Sequence, residues 1–301
     1  RLLGVPTVID RMVQQAVAQV LMPIFGRTFS DSSYGFRPGR SAKMAIQKAR
    51  DLYNDGHRYV VDLDLSKYFD TINHELLLNM IREEVHDKAV IQLIKHFLKS
   101  GVMVNGILTA TDMGSPQGGP LSPLLSNIYL TKFDREMEKR GHKFVRYADD
   151  VNVYVRSCRS AQRVMTSCKH YLETKLKLKV NETKSKAGSP LKLKFLGFSL
   201  RSTTAGQASI RIHEKSIDRF KMKIRELLKR NQGRPIKTVL DRLNLSTRGW
   251  LNYYSIADAK SFIQRMNGLI GRKIRAYIWK QWKRIKCRFE NLQRYGVSRS
   301  K

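Results

Sequence analysis

Cysteine is scarce in this sequence, and long apolar runs are missing from it. Only three of its 301 residues are cysteines, Cys158, Cys168 and Cys287, and none of them has the CxxC spacing of a metal or redox site. No apolar stretch approaches the roughly 18 residues that a membrane-spanning helix requires. These absences exclude a disulfide scaffold and an integral membrane protein, so we expect a reduced, intracellular, soluble protein.

Acidic residues are also few, with 25 Asp and Glu against 57 Lys and Arg and a formal net charge of +32. Such a surplus repels itself unless a polyanion neutralises it. Residues 201–301 hold 26 basic and 6 acidic side chains, which gives this third +20 of the total. The charge predicts a nucleic-acid partner gripped mainly by the last third, with a solvated basic surface as the alternative.

Apolar spacing predicts several helices along the chain. Residues 8–22 should form an amphipathic core helix that ends at Pro23, and Ser41 should cap a second helix. Further helices are expected within 74–99, 124–140 and 160–176, with a glycine- and proline-rich loop at 114–123. The predicted core face of the first helix comprises Ile9, Met12, Val13, Ala16, Val17, Val20 and Leu21.

Strands are indicated at 58–65, near 192–200 and at 209–212, and a hairpin is indicated at 143–147 and 151–156. From about residue 214 onward the pattern is helical only. The fold class is therefore α+β followed by an all-α segment, with a domain boundary near residue 213.

Aspartates lie in the predicted first strand and at the tip of the predicted hairpin. Alternation puts Asp62 and Asp64 on one face of the first strand, while Asp149 and Asp150 follow Ala148 at the hairpin tip. Adjacent carboxylates raise one another's pKa unless cations bridge them, which indicates a metal site. Two-metal phosphoryl transfer needs carboxylates from separate strands to converge. The alternative is that aspartates simply form good turns.

Several stretches resemble reverse transcriptases, and specifically the bacterial group II intron enzymes. Residues 146–150 (RYADD) and 62–70 (DLDLSKYFD) resemble the palm motifs of the family. Residues 33–41 (SYGFRPGRS) and 3–7 (LGVPT) resemble the intron subfamily, and the Trp- and Tyr-rich stretches within 248–283 resemble its thumb, or maturase region. The resemblance implies a right-hand polymerase fold: partial fingers (1–58), a palm with an antiparallel sheet (59–212) and a helical thumb (213–301).

The same resemblance implies a catalytic site. Asp64, Asp149 and Asp150 would be the catalytic metal ligands, with Leu65 counted among the metal-binding residues and Asp62 only a neighbour. The expected cofactor is a pair of Mg²⁺ ions, with Mn²⁺ as a substitute. Phe69 would be the aromatic gate that rejects a ribose 2′-hydroxyl, and its alternative is an ordinary core position.

Substrate contacts are implied at further positions. Arg1, Gln117 and Lys184 match nucleotide-binding positions, Lys184 as the proton donor to pyrophosphate. Each position has an alternative interpretation. Gln117 could belong to a plain Pro-Gly turn, Lys184 could be a solvated lysine, and the segment around Leu196 could be a buried strand. The implied template and primer contacts are Gly118, Tyr147, Leu196 and Gly197.

These resemblances imply RNA-directed DNA synthesis from dNTPs and a splicing role on intron RNA in retrohoming. The expected partners are intron RNA and a template–primer duplex, with no membrane, in the bacterial cytoplasm; a homodimer stays open. The second hypothesis is an RNA-binding module without catalytic activity. An RNA-dependent RNA polymerase is disfavoured, because it would need a small or polar residue at the position of Phe69. The start at Arg1 without a methionine suggests a piece of a longer protein. The resemblance implies that relatives carry fingers sequence before this point and often a DNA-binding or nuclease segment after the thumb, and whether the full protein has them stays open.

Overall fold

The computed structural model describes residues 6–100, 102–104, 107–109, 113–114 and 118–297. The chain divides into two compact units. Unit 1 comprises Arg1–Leu193 with Ser202–Ala208, and unit 2 comprises Lys194–Arg201 with Ser209–Lys301.

Helices and strands alternate irregularly in the described part of the chain. The α-helices are α1 (Val8–Gly26), α2 (Ala42–Asn54), α3 (Tyr68–Thr71), α4 (His74–Arg82), α5 (Lys88–Lys99), α6 (Ser122–Lys139), α7 (Cys158–Thr174), α8 (Glu214–Leu227), α9 (Ile236–Tyr254), α10 (Lys260–Gln281) and α11 (Ile285–Arg294). The strands are β1 (Tyr59–Leu63), β2 (Val102–Val104), β3 (Ile107–Thr109), β4 (Lys143–Tyr147), β5 (Asp150–Val155), β6 (Lys186–Gly188), β7 (Phe198–Ser202) and β8 (Ala208–Ile212).

Unit 1 is built on a four-stranded antiparallel sheet in the order β4-β5-β1-β6. The predicted hairpin forms β4 and β5, and the predicted first strand forms β1, so these predictions are confirmed. Val61, Leu63, Val151 and Val153 are fully buried in the core of this unit. Strand β6 was not predicted, because its three residues, Lys-Ala-Gly, carry no apolar alternation.

Polar caps fix where the helices of unit 1 begin. The Ser41 hydroxyl accepts a hydrogen bond from the Met44 amide, as predicted from sequence. Ser157 caps α7 in the same way, and Asp87 caps α5 through the amides of Ala89 and Val90. These helices then bury their apolar faces against the sheet and against α6, whose middle is almost wholly buried.

The prediction for α1 was wrong in two respects. The helix continues to Gly26, because Pro23 removes only its own backbone N–H and leaves the later donors able to bond. Its buried face is formed by Gln14, Ala18, Leu21 and Phe25, whereas Ile9, Met12 and Val20 of the predicted face are exposed. Two apolar stripes overlap in this helix, and spacing alone does not tell which one meets the core.

Unit 2 contains α8 to α11, as the helical pattern after residue 214 predicted, and these helices pack around an apolar core of their own. Trp250 stacks on Phe220 with ring centroids 4.2 Å apart, and the fully buried Ile224 lies in the same cluster. In the described part of the chain, no helix is both long and apolar enough to cross a membrane.

Candidate active site

The sheet brings the predicted aspartates to neighbouring strand ends. Strand β1 pairs with β5 so that Asp62 lies opposite Asn152 and Leu63 opposite Val151. Asp64 directly follows the end of β1, and Asp150 is the first residue of the neighbouring β5. The pKa of Asp62 is raised to about 7 by burial and then by the negative charges of Asp150 and Asp64. A field of carboxylate charge is therefore concentrated at this edge of the sheet.

Backbone contacts with the segment that precedes β6 hold Asp64 in place. The Asp64 amide donates to Ser185 Oγ at 3.0 Å, and its carbonyl accepts from the Asn181 amide at 2.8 Å. The next residue, Leu65, is buried and bridges to Val180. The position of Asp64 thus depends on a segment more than a hundred residues later.

Lys184 lies at the same carboxylate. Its Nζ is 3.7 Å from Asp64 Oδ1, and its side chain is 62% exposed while that of Asp64 is 35% exposed. An ion pair this exposed contributes little to stability, typically about 0 to 1 kcal/mol. The lysine therefore reaches the site at low energetic cost and is able to leave it.

The hairpin tip is shaped by close backbone packing. Ala148 has a left-handed φ of 57°. A Cβ on Gly35 would lie 2.3 Å from the Ala148 nitrogen, so only glycine fits there. The Tyr34 amide donates to the Arg146 carbonyl at 2.8 Å, and the Arg146 amide donates to the Ser32 carbonyl at 2.9 Å. The stretch 33–41, noted for its resemblance, thus packs directly on the tip.

A buried ionic network supports the tip from below. The Arg146 and Asp134 side chains are both 0% exposed, and Arg146 Nε donates to the two Asp134 carboxylate oxygens at 2.8 and 3.0 Å. Arg146 Nη1 donates to Asn127 Oδ1 and to the Ala148 carbonyl, each at 3.0 Å. Asn127 in turn donates to the Gly35 carbonyl at 2.9 Å. Burial raises the pKa of Asp134, and the Arg146 charge opposes this.

Sequence reasoning gave Arg146, Asp134 and Asn127 no role. The available signal was a charged residue in the middle of an apolar segment: Arg146 within β4, and Asp134 next to Phe133 in α6. Because charges are rarely fully buried unless paired, each one predicts a partner. Which residue is that partner cannot be derived from spacing.

Phe69 lies near the carboxylates in sequence and is half-buried. Its ring packs edge-on against Tyr68 with centroids 5.2 Å apart. Gly114 has a φ of 93°, and a Cβ there would lie 2.8 Å from the Phe69 carbonyl oxygen, so the predicted loop approaches α3 through a glycine. Gly118, at a φ of 117°, is exposed.

Of the other predicted contact residues in unit 1, the structure describes Tyr147 but not Arg1 or Gln117. Tyr147 is half-buried, with its ring centroid 6.4 Å from that of Phe36. Arg1 and Gln117 lie outside the residues that the structure describes.

Leu196 and Gly197 belong to unit 2 and form a tight turn with φ values of 50° and 84°. The Leu196 carbonyl accepts from Tyr253 Oη at 2.9 Å, and the Gly197 carbonyl accepts from Ser216 Oγ at 3.0 Å. A Cβ on Gly197 would lie 2.6 Å from Tyr254 Oη. Packing against α9 therefore explains the glycine, and its predicted primer contact stays a prediction.

The carboxylates suit a divalent cation in their chemistry. Oxygen-only ligands are what Mg²⁺ prefers, and the negative charges of Asp150 and Asp64 add to burial, the larger cause, in raising the pKa of Asp62. Among residues 6–297, within the described ranges, no three His, Cys, Asp or Glu side chains are grouped to hold a metal ion. For these carboxylates to hold a metal ion together, side chains must move. The ion pair between Lys184 and Asp64 would have to break.

Comparisons with known proteins agree with the fold and the motifs. Residues 1–200 match the family model described as reverse transcriptase (RNA-dependent DNA polymerase), so the chain belongs to the reverse transcriptase family. Residues 217–296 match the group II intron maturase-specific domain, which makes it a group II intron reverse transcriptase/maturase.

Relatives of the chain are longer than the chain itself. Protein YkfC of Escherichia coli is 33% identical over 224 residues, covering 62% of this chain and 59% of YkfC. Group II intron-encoded protein LtrA of Lactococcus lactis is 31% identical over 271 residues, covering 68% of this chain and 45% of LtrA. The chain thus spans about half the length of these relatives.

One solved structure supports the architecture. Apo telomerase from Candida tropicalis superposes with a TM-score of 0.51 at 13% identity, covering 88% of this chain and 55% of that one. Identity this low shows the fold alone. The predicted α+β right-hand polymerase fold is confirmed, whereas the fingers, palm and thumb boundaries stay predictions.

Proposed function

We propose that this chain is the polymerase core of a group II intron reverse transcriptase, copying RNA into DNA from dNTPs. One observation carries the proposal: β1 and β5 are paired in the sheet, Asp64 directly follows β1, Asp150 begins β5, and Asp149 precedes it at the hairpin tip. Nucleotidyl transfer needs carboxylates from separate strands at one point. Membership of the reverse transcriptase family supports the same reaction.

The proposed ligands of two divalent ions are Asp64, Asp149 and Asp150, with Leu65 offering only its backbone carbonyl. Mg²⁺ is the preferred ion and Mn²⁺ the substitute; bound there, the ions would lower the pKa of the primer 3′-hydroxyl and balance charge on the leaving oxygens. The chain supplies the strand ends that hold these groups and the buried Arg146 network that fixes the hairpin.

Four residues are proposed to contact the incoming nucleotide. Phe69 would lie under the sugar and reject a 2′-hydroxyl by steric exclusion. Gln117 would offer its amide, and Arg1 would bind phosphate oxygens bidentately. Lys184 would protonate the pyrophosphate, which requires it to leave Asp64.

Gly118, Tyr147, Leu196 and Gly197 are each proposed to contact the template–primer duplex. On this proposal residues 1–58 are partial fingers, 59–212 the palm and 213–301 the thumb. The excess positive charge of residues 201–301 supports a thumb that binds nucleic-acid phosphates. The protein would act on intron RNA in the bacterial cytoplasm, and a homodimer remains an open arrangement.

A second function, as a splicing cofactor for intron RNA, is proposed from the maturase-specific match at 217–296. Stabilising folded RNA requires a binding surface and no carboxylate chemistry. An Asp149→Ala protein should therefore keep its effect on splicing of its intron. Loss of splicing by this variant, with RNA affinity unchanged, would contradict two separable roles.

Primer extension tests the polymerase proposal. The chain is assayed with deoxy- and ribonucleotides, with and without Mg²⁺, on RNA and DNA templates, and Asp149→Ala is compared with Asp55→Asn at an exposed position outside the site. We expect Asp149→Ala to fall below about a thousandth of the unaltered rate with RNA binding retained. Asp55→Asn should be unaffected. No extension under any condition would leave RNA binding as the function.

A further inference from the structure

A basic cleft lies at the end of the four-stranded sheet that is opposite the hairpin tip. A cleft of about 490 Å³ opens where β4 begins and β5 ends, and it is lined by residues of unit 1 only. Lys143 is paired with Tyr154 there, while the hairpin tip follows Tyr147. Four residues of strand separate the two, or about 13 Å at the usual rise of a strand. The cleft is therefore distinct from the carboxylate site.

The polar groups that line this cleft are cationic or able to donate hydrogen bonds. They belong to His57, His142, Lys143, Arg156, Ser160, Arg163 and Ser167, and no Asp or Glu is among the lining residues. In the described part of unit 1, none of Lys143, Arg156 and Arg163 forms an ion pair within 4.0 Å. Three cations without carboxylate partners thus face one concave surface.

The neighbouring His142 and Arg140 do not add net positive charge to the cleft. The pKa of His142 is lowered by burial and by the Arg140 charge, so its imidazole is neutral at pH 7 and offers hydrogen bonding without adding charge. Arg140 is itself neutralised by Glu136 and donates to Ser167 Oγ at 2.6 Å. The three unpaired cations therefore dominate the field, and a concave basic surface concentrates anions.

We propose that this cleft, which we call the β4–β5 cleft, binds the phosphate backbone of folded RNA away from the polymerase centre. The choice of RNA among polyanions rests on the proposed function; the location and the anion preference rest on the contacts above. Lys and Arg recognise phosphates without reading sequence. The β4–β5 cleft would anchor structured RNA while a template–primer occupies the carboxylate site.

Neutralising the β4–β5 cleft tests this. The variant Lys143→Gln/Arg156→Gln/Arg163→Gln is compared with Lys48→Gln/Lys88→Gln/Lys99→Gln, which removes equal charge from exposed positions of unit 1 outside the cleft. Binding of a fully base-paired RNA hairpin is measured across a salt series. We expect the cleft variant to bind about tenfold more weakly and its log-affinity against log-salt slope to fall by about 2, since each phosphate contact contributes about 0.7 to 0.9.

The control should lose much less affinity and keep its slope. Equal losses in both variants, with far-ultraviolet circular dichroism unchanged, would mean that general charge and not the β4–β5 cleft binds RNA. Primer extension separates this outcome from failure of the proposed function. The cleft variant should extend a saturating annealed primer as fast as the unaltered chain does. If the unaltered chain shows no extension, the proposed function fails, but the RNA affinities of the cleft variant and the control variant can still be compared.

A native thiol gives a readout on the unaltered chain. Cys158 is exposed two residues after Arg156, Cys168 is buried, and Cys287 lies in unit 2. The RNA hairpin should slow alkylation of Cys158 by a maleimide, and this protection should be lost in the cleft variant. Protection of Cys287 with no protection of Cys158 would overturn the proposal, because the RNA would then bind elsewhere.

Discussion

Replacing Arg146 by methionine should destabilise unit 1 strongly. Arg146 and Asp134 are fully buried, and the guanidinium bonds to Asp134, Asn127 and the Ala148 carbonyl. Methionine fills similar volume but leaves the Asp134 carboxylate without its cation. Breaking one partner of a buried ion pair typically costs about 3 to 5 kcal/mol, which is a large part of the stability of a domain.

Urea unfolding followed by circular dichroism measures this loss, with the unaltered chain and Arg140→Met as references. Arg140 also pairs with an acid, but its side chain is 31% exposed, so its loss should stay near 1 kcal/mol or below. The double variant Arg146→Met/Asp134→Leu should recover much of the loss, because no unpaired charge remains buried. A loss of stability below about 1 kcal/mol for Arg146→Met would refute this reasoning. So would a double variant whose loss equals the sum of the losses of Arg146→Met and Asp134→Leu measured singly.

The same variant makes a pH prediction. Burial raises the pKa of Asp134, and removing the opposing Arg146 charge raises it further. The folded state of Arg146→Met then binds a proton that the unfolded state releases above about pH 3.9, so its stability falls as pH rises from that value through the raised folded pKa. The deficit relative to the unaltered chain should therefore be smaller at acidic than at alkaline pH. An identical deficit across that range would contradict the assignment of the buried charge.

Three further substitutions test the site. Gly35→Ala places a Cβ 2.3 Å from the Ala148 nitrogen, so we expect primer extension to fall by more than about tenfold with native helical content; unchanged activity would show that the tip does not depend on this contact. Gly197→Ala meets Tyr254 Oη at 2.6 Å at a φ of 84° and should destabilise unit 2 by about 1 to 3 kcal/mol in urea unfolding, with Tyr254→Phe relieving part of it; full stability would contradict the close packing. Phe69→Ala should raise ribonucleotide incorporation relative to deoxynucleotide by about tenfold or more in primer extension, whereas an unchanged ratio would assign Phe69 to the core alone.

Sequence patterns predicted the strand and the hairpin that carry the carboxylates, because alternation and turn residues are local signals. The α1 face was wrong, since Ile9 and Leu21 are equally apolar and only tertiary packing distinguishes them. Strand β6 escaped notice because its pairing with β1 is non-local and its residues are polar or small. The general lesson is that local periodicity specifies an element and does not specify its neighbour.

The same limit applies to the site. Asp64, Asp149 and Asp150 were predicted from motifs, and the register of β1 against β5 agrees with a shared edge. The Arg146–Asp134 pair and the contact of Gly35 with Ala148 were not predicted, since each joins residues that only the folded chain brings together. The Lys184–Asp64 contact likewise depends on a loop whose position the sequence does not fix.

We propose that Asp64, Asp149 and Asp150 share divalent cations. A crystal structure of the chain with Mn²⁺, a template–primer and a dNTP, recorded for anomalous scattering, tests it directly. We predict anomalous peaks bounded by these three carboxylates, with Lys184 Nζ moved away from Asp64. Peaks elsewhere, or Asp64 still paired with Lys184 in the loaded complex, would contradict it.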